Sequence, residues 1–183
     1  MPRHSDPGLE GRILNAARKL WHKGGETALS MRAVAKAAGT NTPAVYRRFR
    51  TREQILRALV QSYQQQLYQE LVGCQSLDEV AERALDFALR NPREYQLINS
   101  GLLARMTKER PNFDFVAHRC AEWFGGRARD HEALVFGMWA FMHGTAMLRI
   151  SGTVQDENAS RSRVIFMKSL AVLVKNAKKL RGL

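Results

Sequence analysis

Between Thr40 and Arg48 the chain reads TNTPAVYRR, which places hydroxyls, a carboxamide, a phenol and two guanidiniums within a few residues. These are the groups that meet base edges and the phosphates beside them. A guanidinium grips O6 and N7 of guanine with two hydrogen bonds, whereas threonine methyls, Pro43 and Ala44 suit thymine methyls. On that chemistry Thr40, Thr42, Pro43, Ala44 and Arg47 are the candidates for reading base sequence, with Arg47 first among them, and Asn41 lies in the same surface. Hydroxyls and helix amino termini donate to phosphate oxygens, so Ser30 and the Tyr46 hydroxyl are candidates for contacts that position without specifying. Arg48 and Arg50 suit backbone contact or plain solvation. Simple phosphate attraction is the alternative role for Arg47 and Arg48.

Such groups need a frame that holds one face inward and the other toward the ligand. Ser30 is a good N-cap, and Val34, Ala37 and Ala38 then share one helical face. Gly39 follows where a left-handed residue ends that short helix. Asn41 and Thr42 can cap the next helix, and Pro43 suits its first turn. Val45 and Phe49 sit four apart and can face inward, leaving the polar residues outside. The spacing predicts a helix-turn-helix. Charge agrees with it: residues 1–60 carry twelve Lys and Arg against four Asp and Glu, and the remainder seventeen against thirteen. Positive charge concentrated on one segment is the electrostatic footprint of a phosphate-binding surface.

Upstream, Leu9, Ile13, Ala16, Ala17 and Leu20 recur at helical spacing, and Gly24-Gly25 can end their helix. Downstream, Thr51 to Gln54 is a capping box that opens a fourth helix at Arg52. In order, LEGRILNAARKLW, HKGGETALS, AKAAG, TNTPAVYRRF and TREQIL resemble the N-terminal domain of TetR-type transcriptional regulators over residues 9–60 without a gap. Thr40 departs from the small aliphatic residue usual there. The resemblance implies that Arg52 meets a phosphate. It further implies a DNA-binding domain over residues 1–55 and a helical effector-binding and dimerisation domain over 56–183.

The remaining residues are enough for a second helical core. A long helix is predicted from Arg52 to about Val72, with Ile55, Leu56, Leu59, Tyr63, Leu67 and Leu71 on one side. Ser76 to Glu79 is another capping box, opening a helix that Asn91-Pro92 stops after Arg90. Further helices are predicted at about 92–104, 112–124, 130–150 and 157–180. No stretch alternates like a strand, so the fold class is all-α: an N-terminal three-helix helix-turn-helix domain plus a C-terminal helical ligand-binding and dimerisation domain.

Residues 133–150 are apolar around nearly the whole helix, and 164–174 are similar. Such helices need cover on all sides, which predicts a homodimeric four-helix bundle through Phe136, Phe141, Met147, Ile165, Phe166, Leu170 and Leu173. The uncharged run 133–148 is shorter than the roughly 20 residues that span a bilayer, so no membrane partner is expected. Trp139, His143 and Gly144, with FALRNPREYQL upstream, resemble the WHG-type C-terminal domain of some TetR-family members. Trp139 and His143 share a face, and Gly144 permits close helix approach. His143 suits a core position first and a ligand contact second. Tyr95, Leu102, Met106, Phe115, Trp123, Phe124, Met138 and Met142 are the candidate pocket, suited to an apolar or planar effector. Few acidic residues lie among them, which favours a hydrophobic or anionic molecule over a polycation.

Catalysis finds no support. His118, Cys120 and His131 lack metal-ligand spacing, no glycine-rich phosphate loop occurs, and Cys74 and Cys120 form no cluster. No cofactor and no metal are expected, and a reducing cytoplasm fits two distant cysteines. The expected protein is a homodimeric, sequence-specific regulator that binds double-stranded DNA at a palindromic operator, with repression and release by a small molecule as the family default. The alternative is an effector-independent basic DNA- or RNA-binding or architectural protein.

Overall fold

A computed structural model of the chain describes residues 6–101 and 110–181, apart from the side chain of Asp156. Among the described residues every regular element is helical. The chain divides into two compact units, Met1–Tyr63 with Arg93–Lys108, and Gln64–Pro92 with Glu109–Leu183.

The first unit contains α1 (Leu9–Ala28), α2 (Met31–Ala37), α3 (Thr42–Arg48), the first part of α4 (Arg52–Leu71) and nearly all of α6 (Pro92–Ile98). Its core follows the predicted periodicity. Ile13, Ala16, Ala17 and Trp21 of α1 are buried with Val34, Ala35 and Ala38, with Val45 and Phe49, and with Ile55, Leu59, Val60 and Tyr63. The inward stripe of α2 is Val34, Ala35 and Ala38, and Ala37, expected inside, lies exposed at its edge. Leu20 and Leu56 are half-buried for the same reason, each flanking the stripe rather than centring it. Helical geometry in α1 breaks at Gly25, which has φ 58° and ψ −135°, a region open almost only to glycine. The chain therefore turns where Gly24-Gly25 predicts it.

The second unit contains the rest of α4, α5 (Leu77–Arg90), α7 (Pro111–Phe124), α8 (Glu132–Ile150) and α9 (Ala159–Lys175), with short 3-10 turns at Ala128–His131, Asp156–Asn158 and Ala177–Leu180. Ser76 caps α5 as predicted, its Oγ accepting from the Glu79 amide at 3.2 Å, while Glu79 Oε2 accepts from the Gln75 amide at 2.7 Å. Helix α8 packs against α5, α7 and α9. Gly137 faces α9, where a Cβ would lie 3.3 Å from Leu173. Gly144, expected to permit close helix approach, meets nothing within 4 Å. Arg163 pairs with Asp86 across α9 and α5, and Arg90 with Glu70 at 2.6 Å across α5 and α4.

Gly25 and Gly11 separate backbone strain from helix propensity. Gly25→Ala should lower stability by about 1–3 kcal/mol, because alanine cannot rest at that φ and ψ. Gly11→Ala, at an exposed helical position with open space around it, should be neutral or stabilising by up to about 1 kcal/mol. Urea unfolding should show both as shifts in midpoint with an unchanged slope.

Candidate functional site

Two caps and one glycine set the path from α2 to α3. Ser30 Oγ accepts from the Ala33 amide at 3.1 Å and Asn41 Oδ1 from the Ala44 amide at 2.9 Å. Gly39, at φ 64°, lets the chain reverse, with the Thr40 amide donating to the Ala35 carbonyl at 3.0 Å. Pro43 stands in the first turn of α3, where its missing N–H is no loss. The Ser30 hydroxyl proton and the Asn41 carboxamide N–H groups remain available to a ligand while their oxygens cap.

This frame presents Pro43, Tyr46, Arg47 and Arg48 to solvent, with Thr42 and Thr40 half-buried beside them. Tyr46 is 48% exposed although its ring would gain from burial, which keeps its hydroxyl on the same surface as the guanidiniums. Ala44 corrects the sequence reading: at 4% exposure it packs inward with Val45 and cannot reach a base edge. It follows the Asn41 cap by three residues, on the side that turns to the core. Arg48 Nη2 donates to the Asp6 carbonyl at 3.2 Å. Asp6 in turn accepts from the Gly8 amide at 3.0 Å and pairs with Arg12, whose guanidinium holds its carboxyl below the usual range.

Arg52 is occupied differently from what the resemblance implies. Its Nε donates to the Leu29 carbonyl at 2.7 Å, Nη2 to the Glu26 carbonyl at 2.8 Å and Nη1 to Glu26 Oε1 at 3.1 Å. The guanidinium thus joins the start of α4 to the chain between α1 and α2. The capping box beside it forms, with Thr51 Oγ1 accepting from the Gln54 amide at 3.3 Å; Gln54 Oε1 reaches the Arg50 amide, at 2.6 Å.

Two family models match the chain, bacterial regulatory proteins of the tetR family over residues 13–59 and the tetracyclin repressor-like C-terminal domain over 77–172. The chain belongs to the TetR family. It is a DNA-binding transcriptional regulator, and α2 and α3 are its helix-turn-helix. No curated protein matches it in sequence. Among solved structures it is similar to a TetR variant from Acinetobacter baumannii AYE in complex with minocycline, at 19% identity, TM-score 0.69, and 95% and 98% coverage of the two chains. A TetR from Streptomyces coelicolor gives 15% identity, TM-score 0.69, and 93% and 97% coverage. The multidrug-binding protein EbrR, complexed with imidazole, gives 20%, 0.64, and 94% and 93%. At these identities the likeness is one of fold. The C-terminal match lends no support to the WHG subtype.

The candidate effector residues of this TetR-family chain are divided between the two units. Tyr95 is buried in the first unit, where loss of water pushes its phenol pKa up. Met138 and Met142 are buried in the second. There Phe115 meets Tyr68 edge-on at 5.0 Å between centroids, Trp123 lies under the Arg119 guanidinium at 4.8 Å, and Phe124 is 6.0 Å from the His131 ring. His143 rests against Trp139 at 6.0 Å, as their spacing predicts, and burial lowers its pKa. Leu102 and Met106 lie outside the described residues. Cys120 is buried and its thiol is pushed up to about 12, the opposite of an activated nucleophile.

Of the residues assigned to a dimer face, Phe136, Phe141 and Ile165 are exposed, and Met147 and Leu173 half-buried. Phe166 and Leu170 are corrections, since both are fully enclosed within their own unit on the inner side of α9. Trp139, Leu148, Val164 and Val172 extend the exposed apolar set instead. Across Ala128–Ile150 the chain is long and apolar enough to cross a bilayer by length and composition alone, yet this stretch lies inside the matched C-terminal domain and packs on its other helices.

Two buried polar residues stand out, Glu94, which nothing in the sequence singles out, and His131, which the sequence offers only as a metal ligand without the spacing for one. His131 Nε2 donates to the Gly125 carbonyl at 2.8 Å. Glu94 Oε1 meets His22 Nδ1 at 2.9 Å, while Trp21 Nε1 donates to the Arg93 carbonyl at 3.2 Å and Arg93 Nη1 to the His22 carbonyl at 2.6 Å. These three bonds fasten α6 to α1.

Arg52 should behave as a fastener. Arg52→Ala should lower stability by about 1–2 kcal/mol, since hydrogen bonds from a charged donor are lost at a partly exposed site. DNA affinity should fall with the slope of log K against log salt nearly unchanged, whereas loss of a phosphate contact lowers that slope by about one. A reduced slope with unaltered stability would return Arg52 to the phosphate-contact role.

Proposed function

We propose that this protein is a homodimeric repressor that reads a palindromic operator with α3 and is released by a small-molecule effector. The observation that carries the DNA-reading part is the division of α3, with Ala44, Val45 and Phe49 inward and Pro43, Tyr46 and Arg47 outward. Thr40, Thr42, Pro43 and Arg47 read bases. Ser30, Asn41, Tyr46 and Arg48 hold the phosphates that flank them.

Dimerisation is supported by the apolar residues that α8 and α9 leave uncovered, among them Phe136 at 58% exposure and Ile165 at 56%. An apolar patch of this kind on two adjacent helices suits a twofold four-helix interface. Gly144, with open space where a Cβ would stand, suits the close approach of a partner helix. A twofold dimer presents two copies of α3 to half-sites one helical turn apart, from which operator symmetry follows.

Release follows from linkage. An effector that binds better to the dimer whose α3 helices are badly spaced for DNA lowers operator affinity by that difference in affinity. The minocycline and imidazole complexes of the similar structures support small-molecule control as the reading for this chain.

Selection from a random duplex pool at near-physiological salt should enrich a palindrome. Arg47→Ala should relax preference at one base pair per half-site, at a cost of about 1–3 kcal/mol. Binding without enrichment would favour the effector-independent nucleic-acid binder. Phe136→Glu should shift the sedimentation profile from dimer toward monomer and, with it, weaken binding to the full palindrome far more than to a half-site.

A further inference from the structure

The first sixty residues hold few acidic side chains, and two of them, Glu26 and Glu53, pair with Arg52 and Arg57 of α4. Asp6 pairs elsewhere, with the start of α1 and the end of α3. Its Oδ2 accepts from Arg12 Nη2 at 2.5 Å, its Oδ1 from the Gly8 amide at 3.0 Å and its carbonyl from Arg48 Nη2 at 3.2 Å. Arg12 folds back over Gly8, where a Cβ would stand 3.4 Å from Nη1. The hydrogen bond from Arg12 holds the carboxyl below its usual range, and the charge of Arg48 acts on it as well, so Asp6 is an anion at neutral pH. Both members of the pair stay about half exposed.

Arg48 belongs to the helix that presents Tyr46 and Arg47, and its bond to the Asp6 carbonyl places the Asp6–Arg12 pair beside the DNA-reading surface. A carboxylate in that place opposes DNA. It repels phosphates, and it occupies an exposed guanidinium whose fork fits a phosphate as well as a carboxylate. Structure gives little reason for the charge, because asparagine accepts from amides at a helix start as well as aspartate does, and an exposed ion pair adds little stability. The charge matters far more to a polyanion than to the fold.

We propose that Arg12 is a further DNA-phosphate contact and that Asp6 is its built-in competitor, occupying the guanidinium in the free protein and lowering affinity for DNA of any sequence. This rests on α3 being the reading helix, as proposed above. Binding exchanges one anion for another: a backbone phosphate takes the Arg12 donors, and Asp6 keeps the Gly8 amide. Phosphate contacts carry no sequence information, so Asp6 sets the strength of binding to all DNA and leaves discrimination between sequences to α3.

The test titrates the full-length protein with a mixed-sequence duplex, and with the palindrome recovered by selection, across a series of salt concentrations. Asp6→Asn keeps the cap and removes the charge. It should raise affinity for both duplexes by the same factor, about two- to tenfold, and steepen log K against log salt by about one. Asp6→Asn combined with Arg12→Ala should return both quantities to wild-type values. Glu10→Gln removes the same charge from an exposed position in the first turn of α1 without freeing Arg12, and should move the slope far less. Unchanged or weaker binding by Asp6→Asn, a gain that survives the loss of Arg12, or an equal effect of Glu10→Gln would each overturn the proposal. Asp6→Ser, which also caps, decides if Asp6→Asn fails to fold. Arg47→Ala in the same titrations keeps the two readings apart: relaxed preference there with Asp6→Asn silent removes the role of Asp6 alone.

Discussion

The end of α1 is the point on which the DNA-reading unit depends. Between Trp21 and Leu29 the backbone leaves helical geometry at Gly25 and turns toward α2, and two other helices fasten there. Arg52 of α4 takes the Glu26 and Leu29 carbonyls, and Arg93 and Glu94 of α6 take Trp21 and His22. Carbonyls at the end of a helix have no partner within it. Here two arginines supply partners, so they satisfy α1 and locate their own helices with the same bonds. Helix α3 packs against α2. It is placed through α2, whose N-cap follows Leu29 by one residue.

That arrangement explains why the helix-turn-helix was legible in the sequence and its supports were not. Caps, a left-handed glycine and an N-terminal proline act over three or four residues, so Ser30, Gly39, Asn41 and Pro43 declare themselves in a local window. Ala44 did not, because alanine is small enough for either side of a helix and only the packing of α3 decides. Arg52 also read as a local feature, a cation at a helix start near the recognition helix, and its carbonyl partners lie more than twenty residues upstream. Glu94 was harder still. An acidic residue in the first turn of a helix is satisfied by the helix dipole and reads as solvated. Its partner, His22, is separated from it by 72 positions. Periodicity reports which side of a helix is apolar and contains nothing about which polar side chain another helix will cover.

The same distinction runs through α8 and α9. Their residues are apolar on nearly every side, and composition alone cannot divide an inner face from an outer one. Packing divides them: Leu134, Val135, Met138, Met142 and Ala146 point into the unit, and Phe136, Trp139, Phe141 and Leu148 point away. On α9, Phe166 and Leu170 are inside, while Val164, Ile165 and Val172 are outside. Both helices have an apolar residue wherever a cover is needed, within the chain or beyond it. A helix that served only its own core would carry polar residues on the outer side. The aromatic side chains exposed there are what supports the proposed dimer, and the same all-round apolar character is why composition could not choose the residues for it.

Coupling between an effector and DNA needs a modest free energy. A hundredfold change in operator affinity is about 2.7 kcal/mol of difference between two states. A hydrogen bond involving a charged group contributes about 1.5–3 kcal/mol when it is not fully solvated. The fastening of α6 to α1 contains three bonds, one from an arginine and one to a buried carboxylate. If the proposed effector control acts through them, weakening one or two is of the magnitude that such coupling needs. The bonds lie one turn before Gly25, where α1 is already broken and its carbonyls already depend on partners from elsewhere. A shift of α6 by a fraction of an ångström would act there first, because the interior of the three-helix core is close-packed and transmits displacement without absorbing it.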